Sequence, residues 1–176
     1  MSFHVPVILL ALCPPIFGWG DFLLPIHIVL LEMVVHPVSA FAFENLVSTS
    51  NKREKQLLPM RQFLLAMMSG LLLSAGTLAI FRYNLGGAGL DTARSVSLVS
   101  ILFGNIFFVL AECWPLLTRR LVIIFLSLVM LACILVWEPH AAKLFHLVSI
   151  GWAEMFLALG VGAIASFPSF ILRTRR

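Results

Sequence analysis

The segment "LLPIHIVLLEMVVHPVSAFAFE", residues 23–44, is apolar over a length that can cross a lipid bilayer. It nevertheless carries Glu32, His36 and Pro37 in its interior. An ionisable side chain near the bilayer centre costs about 2.5–3.5 kcal/mol on the insertion scale, and such side chains normally face protein or a water-filled cavity. The segment therefore predicts a membrane-spanning helix with a functional site inside the membrane.

The composition of the whole chain agrees with this interpretation. Of its 176 residues, 61% are hydrophobic and only 11% are charged. A soluble domain of this size has no way to keep so much apolar surface from water, so the chain is predicted to be a membrane protein. Its net charge of +4 then predicts basic cytoplasmic loops rather than binding to nucleic acid. The expected surroundings are lipid.

Six apolar runs divide the chain, and each is close to the roughly 20 residues of a spanning helix. We therefore predict an all-α fold, a polytopic helical bundle that forms a single membrane domain, residues 1–176. The predicted transmembrane helices cover residues 3–19, 22–44, 62–81, 94–112, 120–138 and 148–172.

The basic residues predict the orientation of this bundle. With the N-terminus inside, nine of the twelve Lys and Arg residues fall in inner loops and three in outer loops. Positively charged loops resist translocation, so this bias predicts that both termini are cytoplasmic. The inner set is Lys52, Arg53, Lys55, Arg61, Arg119, Arg120, Arg173, Arg175 and Arg176, and the outer set is Arg82, Arg94 and Lys143.

Glu32 and His36 are four residues apart and therefore share one face of a helix. Pro37 lacks an N–H, so the carbonyl of Met33 loses its helical partner beside these two side chains. Broken helices of this kind form ion sites near the membrane midplane in transporters. The alternative is that Glu32 and His36 pair with each other in a kinked structural helix. Carboxylate and imidazole together suit several cations or a proton, so the pattern does not identify the ion.

Other polar and small residues within the runs have weaker signals. Asn105, midway along the fourth run, either reaches the same cavity or bonds to a neighbouring helix. His27 lies near the outer end of its helix and is predicted to be interfacial. Glycines inside the runs predict close helix–helix packing. They are Gly70, Gly76, Gly104, Gly160 and Gly162.

The N-terminal part of the chain, from "HVPVILLALC" to "FAFE", resembles the C-terminal membrane domain of cation-transporting P-type ATPases, especially a bacterial branch related to calcium-pump-like ATPases. The landmarks are His4-Val5-Pro6, Leu24-Pro25, Leu31-Glu32, His36-Pro37 and Phe43-Glu44. The resemblance continues more loosely through "ARSVSLVSILFGNIFFVL", which is similar to the eighth helix of these pumps. The six runs would then correspond to their fifth to tenth helices.

The resemblance implies that Glu32, His36 and Asn105 are ligands of the transported cation and that Pro37 opens the helix beside them. Relatives that resemble calcium pumps have an Asn at the position of Glu32 and an Asp at that of His36. Because an imidazole replaces a hard anionic oxygen at His36, calcium selectivity is not carried over. These pumps also have an acid in the fifth helix near the position of Val7, and this chain has none there.

The motifs of ATP hydrolysis do not occur in the sequence. P-type ATPases phosphorylate the Asp of D-K-T-G-T and dephosphorylate with T-G-E-S, and phosphoryl transfer needs a nucleotide pocket and Mg²⁺ ligands outside the bilayer. The chain alone is therefore not expected to be an enzyme, although its family is ATP-driven. ATP and Mg²⁺ would bind domains on another polypeptide, and no cofactor is expected in this chain.

The leading interpretation is a fragment or split subunit of a cation-transporting P-type ATPase in the plasma membrane. The resemblance to the bacterial branch favours a bacterial inner membrane. It would contribute cation-coordinating groups without hydrolysing ATP. One alternative is a degenerate or regulatory membrane protein that transports nothing, which the loss of the usual Asp at His36 supports. A further alternative is an independent proton-coupled transporter that uses Glu32 and His36.

Overall fold

The computed structural model describes residues 4–33, 60–113 and 118–173. Within these ranges the chain forms helices and no strand, which confirms the predicted all-α class. The helices are α1 (His4–Ile16), α2 (25–33), α3 (Met60–Gly87), α4 (Leu90–Cys113), α5 (Arg119–Trp137), α6 (Pro139–Leu144) and α7 (Trp152–Arg173).

Three of the described helices are long and apolar enough to cross a membrane, namely Leu64–Gly87, Leu90–Ala111 and Trp152–Phe170. The apolar parts of α1 and α5 are shorter. With 13 residues, α1 is about 20 Å long, against roughly 30 Å for the hydrocarbon core. The apolar helices identify a membrane protein, but they do not confirm the predicted number of six spans.

The chain reverses direction after α1 through a glycine in the left-handed region. Gly18 has φ +68°, and its N–H donates to the carbonyl of Pro15 at 3.1 Å. The N–H of Trp19 donates to the carbonyl of Pro14 at 2.9 Å. This pair of bonds is a Schellman motif, which ends a helix at a residue that tolerates positive φ. The turn ends α1 and leads into α2, which begins at residue 25.

The turn between α3 and α4 is much shorter than the glycine-rich segment predicted. The predicted third and fourth runs leave residues 82–93 between them, whereas α3 continues to Gly87 and α4 begins at Leu90. Only Gly89 takes a positive φ, +90°. The charged side chains that mark the end of the apolar run are compatible with helix, so they end the membrane segment without ending the helix.

Three helices, α3, α4 and α7, form the centre of the described bundle. The α3–α4 hairpin makes these two helices antiparallel. Ser69 Oγ lies 3.2 Å from Ser169 Oγ, and Gly76 lies against Val161, so residue numbers rise along α3 as they fall along α7. Because α3 is antiparallel to both partners, α4 and α7 run parallel. Alternating passes through a membrane require this relation between the predicted fourth and sixth runs.

Glycines allow these three helices to approach closely. A Cβ added to Gly162 of α7 would lie 2.8 Å from the backbone nitrogen of Gly104 on α4. One added to Gly104 would lie 2.5 Å from Leu73 of α3, and one added to Gly76 would lie 2.7 Å from Val161. The packing role predicted for these glycines is confirmed. The same prediction is wrong for Gly160, where an added Cβ has nothing within 4 Å.

Candidate functional site

Of the predicted ligand residues on the second run, only Glu32 lies within the described part of the chain. Its side chain is half-buried near the end of the described part of α2. The fully or nearly buried positions of this helix are His27, Leu30 and Leu31. At 100° per residue, Glu32 lies about 150° around the helix from the centre of that buried stripe, close to the opposite face. His36 and Pro37 lie outside the described residues.

Asn105 lies on α4 and is buried, with 5% of its surface exposed. Its amide nitrogen donates to the carbonyl of Ile101 at 2.8 Å, one turn earlier on the same helix. This bond lies within α4, so it is neither the shared cavity nor the bond to a neighbouring helix that the sequence analysis considered. The amide oxygen is the atom of this side chain that is chemically able to coordinate a cation. Both uses are therefore compatible with the geometry of Asn105.

A second set of polar groups was not singled out from the sequence. Within the described ranges, three buried side-chain oxygens have no hydrogen-bonding partner in the protein, namely those of Thr77, Ser97 and Ser100. The contact of Leu73 with Gly104 sets the register of the antiparallel pair, so Thr77 and Ser100 lie at the same depth. The available signal was the hydroxyl-rich start of α4, "ARSVSLVS".

An unpartnered hydroxyl in a protein interior is destabilising, which gives a testable prediction for Thr77. Thr77→Val keeps the shape of the side chain and removes the buried hydroxyl, so it is expected to stabilise the fold by about 1 kcal/mol. The measurement is the thermal unfolding midpoint of the chain in nanodiscs. Ser74→Ala is the matched control, because its hydroxyl donates to the carbonyl of Gly70 at 2.8 Å. A lower midpoint for Thr77→Val than for wild type would mean that the hydroxyl has a favourable partner.

No group of three or more His, Cys, Asp or Glu side chains that could hold a metal ion is found among the described residues. The described carboxylate and amide candidates, Glu32 and Asn105, lie on different helices, α2 and α4. The complete predicted ligand set includes His36, which the described ranges do not cover.

His27 is fully buried in the protein, and its predicted place at the membrane interface stays a prediction. The backbone N–H of Leu24 donates to its Nδ1 at 3.3 Å, and its Nε2 lies 2.7 Å from the carbonyl oxygen of Phe145. Because an N–H only donates and a carbonyl only accepts, Nδ1 is the acceptor and Nε2 carries the proton. The ring is therefore the neutral Nε2–H tautomer, and it joins α2 to the connector between α6 and α7, residues 145–151.

The geometry at the start of α2 explains why this helix begins at Pro25. Leu24 is the N-cap residue, Pro25 occupies the first helical position, and His27 occupies the third. A side chain at the third position that accepts from the N-cap N–H is half of a capping box, a role usually filled by Glu or Gln. Proline at the first position loses no hydrogen bond and has its φ already set. The sequence "LPIH" carries this signal.

The start of α4, which follows the α3–α4 turn, is bonded to the α1–α2 loop and to the α6–α7 connector at the same end of the bundle. Arg94 Nε donates to the carbonyl of Asp21 at 2.7 Å, and Ser95 Oγ accepts from the N–H of Val148 at 2.9 Å. The ion pair between Arg94 and Asp91, at 3.3 Å, involves an aspartate whose side chain is 68% exposed, so it contributes little to stability. The bonds of His27, Arg94 and Ser95 join the α1–α2 loop, the α3–α4 turn region and the α6–α7 connector. We call this set of bonds the three-loop network.

The family model for the C-terminus of cation-transporting ATPases matches residues 21–174. The chain belongs to this family. This confirms the resemblance stated from the sequence, and it makes the chain the membrane C-terminal part of a cation-transporting ATPase. No curated protein matches the chain. In this ATPase domain, the match covers α2 with Glu32, α4 with Asn105 and the whole of the three-loop network.

Proposed function

We propose that this ATPase domain contributes the later helices of a cation pathway and supplies ligands to the transported ion. Glu32 and His36 are the central ligands, Asn105 is a further ligand from α4, and Pro37 opens the backbone beside them. The observation that carries the proposal is the family match over residues 21–174. It is supported by the polar spacing of the second run and by the burial of Asn105 within an apolar bundle.

In this proposal all six predicted runs cross the plasma membrane, with both termini in the cytoplasm. The distribution of Lys and Arg supports this orientation, and the parallel arrangement of α4 and α7 is compatible with it. The positive loops would then lie on the side where ATP is hydrolysed. Phosphorylation, nucleotide binding and Mg²⁺ binding belong to residues outside these 176, because the sequence contains neither D-K-T-G-T nor T-G-E-S.

Because the proposal assigns phosphorylation and nucleotide binding to other residues, it predicts that the chain by itself does not hydrolyse ATP. The purified chain in nanodiscs is expected to give no cation-stimulated phosphate release above the background of empty nanodiscs. The same assay is expected to become cation-dependent when the chain is combined with the polypeptide that carries the phosphorylation and nucleotide domains. Measurable cation-stimulated turnover by the chain alone would contradict the proposal.

A second candidate is a degenerate or regulatory membrane protein that transports nothing. The half-buried position of Glu32, away from the buried stripe of α2, favours this candidate, as does histidine at the position of the usual Asp. The two are separated by the effect of Glu32→Gln on cation stimulation in the combined system. Cation flux into liposomes that contain this chain alone would instead support an independent transporter.

A further inference from the structure

The bond network around His27 connects the helix that carries Glu32 to a connector more than a hundred residues away in sequence. We infer that His27 is a positioning residue, which holds α2 against the α6–α7 connector only while its ring is neutral, so that acid weakens cation binding at Glu32. The inference rests on the proposed function, because it concerns the regulation of the same site. It names a role for His27 that is separate from coordinating the ion.

The neutral ring uses both of its nitrogens. Nδ1 accepts from the N–H of Leu24 at 3.3 Å, and Nε2–H donates to the carbonyl of Phe145 at 2.7 Å. Protonation makes Nδ1 a donor. Two donors would then face each other at the start of α2, and the capping bond from Leu24 would be lost. The bond to Phe145 remains possible in the charged form, so the change acts on the cap.

The surroundings also oppose a positive charge on the ring. His27 is fully buried, and the N-terminus of a helix carries a partial positive charge. The charged and titratable side chains near the ring on neighbouring elements include Arg94 on α4 and His146 on the connector. Asp91 is paired with Arg94 at 3.3 Å, and the nearby loop aspartate, Asp21, has an exposed side chain and accepts from Arg94 through its backbone carbonyl.

The connector presents its carbonyl from a constrained turn. The N–H of Leu147 donates to the carbonyl of Ala142 at 2.8 Å, and that of His146 donates to the carbonyl of Lys143 at 3.2 Å. This is a Schellman motif that ends α6, with His146 in the left-handed region at φ 52°. The acceptor of His27, the carbonyl of Phe145, belongs to the residue immediately before. The partner of His27 is therefore part of a defined backbone structure.

The distance from His27 to the site is short along α2. Glu32 follows His27 by five residues, which is about 7.5 Å of helix. A helix whose first turn loses its cap frays from that end, so its remaining residues are held less firmly against the connector. A cation site that requires fixed ligand positions then binds more weakly. Acidification at the end of the bundle that holds His27 is therefore expected to weaken cation binding at Glu32.

The decisive comparison is between the wild type and His27→Gln. The Gln amide can accept from Leu24 and donate to Phe145, but it does not titrate. Loss of an N-terminal cap corresponds to about a fivefold change in an equilibrium constant. When acidification from pH 7.5 protonates the ring of His27, the apparent cation affinity of the combined ATPase is therefore expected to fall about fivefold further for wild type than for His27→Gln. Effects of pH on His36 occur in both proteins and cancel in the comparison.

His140→Gln is the matched control, since His140 is exposed on α6 and should retain the pH dependence of the wild type. A second readout needs no transport. Amide hydrogen exchange at the start of α2 should lose protection in the wild type at the pH where the ring of His27 becomes protonated, and should keep it in His27→Gln. A third readout needs no substitution, because the ¹⁵N chemical shifts of the His27 ring report its tautomer and protonation directly.

The outcomes separate this inference from the proposed function. Parallel pH profiles of wild type and His27→Gln in both affinity and hydrogen exchange would overturn the role of His27. A difference in hydrogen exchange without a difference in affinity would overturn the link to the site, provided that Glu32→Gln weakens cation stimulation in the same system. If Glu32→Gln has no effect there, the proposed function fails, whereas a capping role shown by hydrogen exchange would stand.

Discussion

Gly162→Ala is expected to destabilise the bundle by about 2–3 kcal/mol, because overpacking a well-filled interface typically costs about 1–3 kcal/mol. The value lies at the upper end of that range because the obstacle is backbone. The new methyl group would lie 2.8 Å from the nitrogen of Gly104 and 3.0 Å from the carbonyl carbon of Phe103. Neither atom can move without displacing α4 from α7. The measurement is the thermal unfolding midpoint in nanodiscs.

Gly160→Ala provides the matched control for this prediction. It lies on the same helix two residues earlier, and an added Cβ there has nothing within 4 Å. Alanine has a higher helix propensity than glycine by up to about 1 kcal/mol, so Gly160→Ala is expected to leave the unfolding midpoint unchanged or to raise it. Equal losses in both variants would show that the register between α4 and α7 is wrong.

Glu32→Gln is expected to lower the apparent affinity for the stimulating cation by about ten- to a hundredfold in the combined ATPase, equivalent to about 1.5–3 kcal/mol. The substitution keeps the volume of the side chain and removes its negative charge, which is the strongest attraction that this residue can offer a cation. Cation-stimulated phosphate release should be titrated separately with Na⁺, K⁺, Mg²⁺, Ca²⁺, Mn²⁺ and Zn²⁺.

Glu154→Gln is the control, because it removes a carboxylate from the first turn of α7 and should leave the cation affinity unchanged. Asn105→Leu should weaken the same cation that Glu32→Gln weakens if α4 contributes a ligand. An unchanged affinity in Glu32→Gln would leave only the structural interpretation of the Glu32 and His36 pair. An effect confined to Glu32→Gln would remove Asn105 from the ligand set.

Patterns that depend on local chemistry were predictable from the sequence. The all-helical class follows from long apolar runs, and the close approach at Gly76, Gly104 and Gly162 follows from small residues within them. The family could be recognised from the landmarks around Glu32 and His36. The prediction failed at Gly160 because a single sequence does not show which face of α7 meets another helix.

Helix ends were less predictable, for two physical reasons. The end of a membrane segment and the end of a helix are different events, so the charges after the third run did not stop α3 before Gly87. The short helix α6 lies between the predicted fifth and sixth runs, where Glu138 as N-cap and Pro139 at the first position are a recognisable start. Local rules identify such ends once the position of each residue relative to the helix is considered.

The role of His27 shows what a single sequence does not contain. Its capping position in "LPIH" is a local signal, but its second partner, Phe145, is 118 residues away. A backbone carbonyl has no sequence signature, so any residue at that position of the connector could have served. The same limit applies to Thr77 and Ser100, which are brought to one depth only by the register of the α3–α4 hairpin.

The backbone contact between α4 and α7 also has a mechanical consequence. An alternating-access cycle requires some transmembrane elements to move relative to others, and movement is easiest where side chains can repack. Gly104 and Gly162 leave no side chain between α4 and α7 at their contact. These two helices, together with α3, are therefore expected to keep their relative positions. For the proposed cation pathway, the displacement that opens and closes it is then expected in helices outside this group.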